Sequence, residues 1–194
     1  MPGVPPPVAD ERSGLFTFLS HQRELVRTMA FGLTDEQARA TPAASSLSVG
    51  GVIKHLAMTE RSWVARVVGT PWPNDPEKYL SGFVMRPDET LAVVLDDYAA
   101  AAQETDAALG SLDLDHPVPV GDQPWFPKDW TEWSVRWVLL HLIEETARHC
   151  GHIDIVRETV DGGTWFALMA AVEGASAPWV KPWVPLRKEA QPHS

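Results

Sequence analysis

The chain has 194 residues, 44% of them hydrophobic and 22% charged, the balance of a globular protein long enough to bury one core. A formal net charge of −10 and a pI near 5.1 argue against the basic footprint needed to neutralise nucleic-acid phosphates or dock on anionic membranes. With one cysteine, Cys150, no opening signal-peptide pattern and no apolar run of membrane-spanning length, the expected setting is cytoplasmic and free of disulfides.

Residues 1–9 are proline-rich and read as a flexible arm. Leu15, Phe18, Leu19, Leu25, Val26 and Met29 then recur at near-helical spacing, which predicts a first helix over about 10–30 with Gly32 as its stop. Ser46 and Ser48 are candidate N-caps for a second helix, "SVGGVIKHLAMTERSWVARVVG". Its apolar stripe runs through Val49, Val52, Ile53, Leu56, Trp63, Val64 and Val67 and closes at Gly69 and Pro71.

A loop with several prolines leads to a third helix, "DETLAVVLDDYAAAAQETDAALG", which opens on an acidic turn and ends at Gly110. The long loop after it carries Trp125, Phe126 and Trp130, placed either as a lid over a pocket or as an apolar cap on the bundle end. A fourth helix is expected from about 133 to 159, before "DGG". The tail, residues 161–194, reads as a short helix and then a proline-rich extension that packs on the bundle and ends flexibly. Four long amphipathic segments without sustained strand alternation predict an all-α four-helix bundle over residues 10–160.

The stretch "HLIEETARHCGH", residues 141–152, loads this fourth helix with ionisable groups. On an ideal helical wheel Leu142, Val135, Val138, Ile153 and Val156 form the core-facing stripe, with His149 about 20° from its centre and Glu145 about 60°. Glu144, Arg136, Asp154 and Glu158 fall on the opposite, solvated side. An inward carboxylate needs a cationic partner, and the i, i+4 spacing lets Glu145 and His149 share one. His141 is about 12 Å along the axis from His149, too far for the two to share an ion easily.

A third ligand must come from a facing helix, where His55 is the best candidate. His55, Glu145 and His149 would leave coordination positions open, as catalytic metal sites do. The competing reading makes each histidine a hydrogen-bonded structural residue and pairs Glu145 with Arg148 or Arg61. Glu60, near the centre of the second helix's stripe, is either a catalytic acid/base near the metal or one arm of an ion pair. His152 is either a catalytic substrate contact or a partner that orients Glu145 or His149; His141 fixes packing. Cys150 points about 100° away from its neighbour His149, which argues against a nucleophilic role.

Two segments, "SLSVGGVIKHLAMTERSW" and "VRWVLLHLIEETARHCGHIDIVRE", together resemble the DinB-like superfamily, in particular its actinobacterial mini-circle branch. The resemblance covers roughly residues 10–160. It implies a four-helix bundle with one long crossover and a divalent metal held by a histidine on the second helix and an H-x-x-x-H pair on the last. The matching positions are His55, Glu145 and His149; Glu145 departs from the all-histidine pattern in the way the related mycothiol-dependent maleylpyruvate isomerase does. Zinc is the first expectation for the ion, with nickel, iron or manganese as alternatives.

Relatives with assigned activities use low-molecular-weight thiols, mycothiol or bacillithiol. The resemblance therefore implies a metal-dependent thiol S-transferase, or a thiol-dependent isomerase, acting on a small molecule. The alternative is a non-catalytic metal- or small-molecule-binding bundle with a stress-related or structural role. A homodimer is permitted by Leu140 and Ala147 on the outer side of the fourth helix.

Overall fold

Short polar side chains start each long helix by accepting a hydrogen bond from an otherwise unpaired backbone N–H, a device worth about 1 kcal/mol per helix. In the computed structural model, which describes residues 3–73, 75–121, 126–174 and 178–185, Asp10 caps α1 (Glu11–Ala30) and Ser48 caps α3 (Val49–Val67). Thr90 caps α5 (Leu91–Gly110) and Ser134 caps α6 (Val135–Asp161). These four are the bundle: α3 lies along α5, α1 along α6, and α3 also packs on α6. The all-α expectation therefore holds.

Two short helices fill the connections. α2 (Asp35–Arg39) begins with a capping box between Thr34 and Gln37, and α4 (Pro76–Ser81) interrupts the crossover from α3 to α5. The fourth long helix starts two residues later than its apolar pattern predicts. Glu132–Ser134 (β2) instead pairs antiparallel with Pro117–Pro119 (β1), setting Trp133 opposite Val118. α6 ends at Gly162, whose φ of 74° is the left-handed conformation a helix stop favours.

The tail forms α7 (Trp165–Glu173) against α1. Beyond it the Trp183 N–H donates to the Ala167 carbonyl, and the Trp183 ring lies 4.8 Å from the buried Arg157 guanidinium. That ring occupies the space a Cβ at Gly32 would need, so the glycine ending α1 also makes room for the tail. Among the described residues, no helix is long and apolar enough to cross a membrane.

The core divides into two apolar clusters. One gathers Met29, Ile53, Leu56, Tyr98 and Ile153; the other gathers Leu19, Trp63, Leu109, Val138 and Leu142. Along the four helices the buried polar residues Arg23, Glu60, Thr105 and Thr146 fall between these two sets. The candidate site lies at the same level, on the seam between α3 and α6.

Candidate metal centre

His55 on α3 and Glu145 and His149 on α6 each offer a ligand atom, and the three atoms lie within 4.8 Å of one another. The two imidazole centroids are 4.8 Å apart, and His149 Nε2 is 3.6 Å from Glu145 Oε2. His55 and His149 are buried, whereas Glu145 keeps 30% of its side chain exposed and marks the side from which solvent enters. Burial, reinforced by the charge of His149, pushes His55 down to about 3. Burial, with lesser help from His152 and Arg148, pushes His149 down to about 4. Both rings are therefore neutral at physiological pH, the protonation state in which imidazole offers a lone pair to a metal.

The arrangement fits a cation by a second observation. The Nδ1 atoms of both His55 and His149 are buried without a hydrogen-bond partner. A site leaving polar atoms unsatisfied in this way is costly for a purely structural cluster. Two imidazoles and one carboxylate are a donor set suited to zinc and to harder divalent ions alike.

The neighbouring chain is held close by a glycine pair. A Cβ on Gly51 would overlap the Phe83 carbonyl, and one on Gly50 would overlap the Met85 sulfur. With no side chains there, segment 83–85 crosses the start of α3 and lays the Phe83 ring on His55, with centroids 3.8 Å apart at 16°. Tyr79 on α4 meets the same imidazole edge-on at 5.8 Å. Burial and the Glu145 charge push the Tyr79 hydroxyl up. Phe83 and Tyr79 were not among the residues expected at the site; the one signal was "GG" one turn before His55, which leaves room for another segment to approach α3 closely.

The remaining expected site residues divide. The His152 ring is 5.4 Å from that of His149, and its Nδ1 is buried without a partner. Glu60 is buried with both oxygens on Arg23, Oε1 accepting from Nε at 2.9 Å and Oε2 from Nη2 at 2.6 Å. Arg61, a candidate partner for Glu145, is instead paired with Asp97 and Glu104. Cys150 is buried beside the Gln22 carbonyl, and desolvation pushes its thiol up to about 12. In the loop before α6, Trp125 lies outside the described residues, Phe126 packs on Trp133 at 4.9 Å, and Trp130 is exposed.

The model of the mycothiol S-transferase family matches residues 14–162, a span that runs from α1 to the end of α6 and includes every candidate ligand. The chain belongs to this family. The mycothiol S-transferase assignment agrees with the DinB-like resemblance of the two sequence segments. A crystal structure of a conserved protein from Enterococcus faecalis is similar at 18% identity with a TM-score of 0.57. The match covers 79% of this chain and 98% of that one, a likeness of fold. No protein of curated function matches the sequence.

Proposed function

We propose that this mycothiol S-transferase family member is a metal-dependent enzyme that joins a low-molecular-weight thiol, mycothiol first, to a small electrophilic substrate. The observation that carries the reading is the convergence of His55, Glu145 and His149 in a chain of that family. These three residues would hold one divalent ion, zinc first, with nickel, iron or manganese as alternatives. Such an ion lowers the pKa of a bound thiol or water, which supplies a nucleophile at neutral pH.

The protein's own groups have separate tasks. Phe83 lies against both imidazoles, stacked on His55 and 6.1 Å from His149, and shields that side of the site from bulk water. Glu145, on the exposed side, faces the incoming substrates. His152 is the substrate contact we assign to the thiol proton: the S–H bond breaks, the proton passes to the imidazole, and the sulfur pair forms the new C–S bond as the leaving group departs with its own pair. Glu60, committed to Arg23, acts in this reading by holding the bundle rather than at the reacting atoms.

The test incubates metal-loaded protein with mycothiol and an alkylating electrophile and follows the thioether by mass spectrometry. The reading predicts formation well above background, lost in Glu145→Ala. Metal bound without acceleration by mycothiol or bacillithiol would favour the non-catalytic binding bundle instead.

A further inference from the structure

Five residues at i, i+4 spacing run from β2 into α6: Trp133 in the strand, then Trp137, His141, Glu145 and His149 along the helix. The first three are stacked. Trp133 and Trp137 lie 4.6 Å apart at 9°, and Trp137 and His141 lie 4.9 Å apart at 16°. Trp63 on α3 closes the side of the stack, 4.9 Å from the His141 ring and 5.3 Å from that of Trp137. The far end is fixed by the β1–β2 pairing at Trp133. An imidazole between two indoles has few rotamers left, so its nitrogens are placed by packing.

Those nitrogens face carboxylates. His141 Nε2 is 3.7 Å from Glu145 Oε1, and Nδ1 is 3.7 Å from Glu144 Oε2. The other oxygen of Glu145, Oε2, is the one turned to His149 at 3.6 Å. Glu145 is the most exposed of the three candidate ligands and has the most rotamers to lose. A flexible carboxylate on the open side of a site needs a partner that selects one orientation, and ligating carboxylates are ordinarily held this way.

We propose that His141 is a positioning residue: clamped by Trp137 and Trp63, it holds Glu145 Oε1 so that Oε2 points to His149 and His55. The inference rests on the proposed metal site and adds to it a packing device that reaches back to the β-hairpin. It gives the aromatic stack a consequence for the site beyond filling the bundle end.

The test is metal affinity, read by competition with a chromogenic chelator, for the wild type, His141→Phe and His141→Gln. Phenylalanine keeps the stack and loses both nitrogens, whereas glutamine keeps an N–H donor near the position of Nε2. The expected result is about 10- to 100-fold weaker binding in His141→Phe, with most of the loss recovered in His141→Gln and thermal midpoints little changed. Wild-type affinity in His141→Phe, or equal weakening in both variants, would overturn the proposal while leaving the metal site standing. A wild type that binds no metal would remove the metal reading itself, and this proposal with it.

Discussion

Phe83 lies flat on His55, and the carbonyl of Phe83 occupies the volume that a side chain on Gly51 would take. The backbone crossing and the ring stack are one feature, since both depend on segment 83–85 passing directly over α3. Gly51→Ala should push the segment outward, costing about 1–3 kcal/mol as overpacking does. Chemical denaturation would measure the loss. The same variant should bind metal more weakly than Gly110→Ala, a control at the end of α5 where an added Cβ meets open space.

Arg23 and Glu60 are a buried, bidentate ion pair linking α1 to α3, with Asp106 of α5 as a third, half-exposed partner. Removing one arm strands the other charge, so Glu60→Ala should cost about 3–5 kcal/mol. The double variant Arg23→Met/Glu60→Leu should recover most of that, because an apolar pair of similar volume needs no solvation. Urea titrations of the three proteins provide the comparison. Glu60→Gln, if it folds, should keep its metal.

His21 on α1 is buried, its Nδ1 has no partner, and desolvation holds its pKa below the ordinary histidine value. The folded state therefore keeps this ring neutral at pH values where the unfolded chain has already protonated it. Its contribution to stability is complete above the unfolded value, near pH 6.5, and declines as pH falls below it toward the folded value. Between about pH 7 and pH 5, His21→Leu should lose less stability than the wild type does. Denaturation midpoints at the two pH values give the difference directly.

Cys150, with its thiol raised to about 12 by burial, should be inert in the folded protein. Iodoacetamide should label it only after unfolding, and Cys150→Ala should retain thiol transfer. Rapid labelling of native protein, or an inactive but folded variant, would restore a chemical role to this cysteine.

Local signals account for much of what the sequence disclosed. Ser48 before an apolar stripe is a cap wherever the chain folds, and the inward side of α6 follows from a helical period that tertiary contacts do not alter. The i, i+4 pair of Glu145 and His149 was legible for the same reason. Long-range facts were not. Glu60 was readable as buried and polar, but the choice of Arg23 among the arginines depends on how α1 docks on α3. Trp133 fits the helical stripe and still belongs to a strand, because its pairing with Val118 is a contact across a loop. α4 is too short to show a period, so Tyr79 and Phe83 could not be placed over His55 before the crossover was seen.

The central claim is that His55, Glu145 and His149 hold one divalent ion between α3 and α6. Elemental mass spectrometry on untagged protein, beside His55→Ala and Glu145→Ala, tests it most directly. About one ion per chain in the wild type, lost in both folded variants, is the predicted result. A folded wild type that stays metal-free after reconstitution with zinc, nickel, iron and manganese would contradict the account and leave the three residues as a polar seam in the bundle.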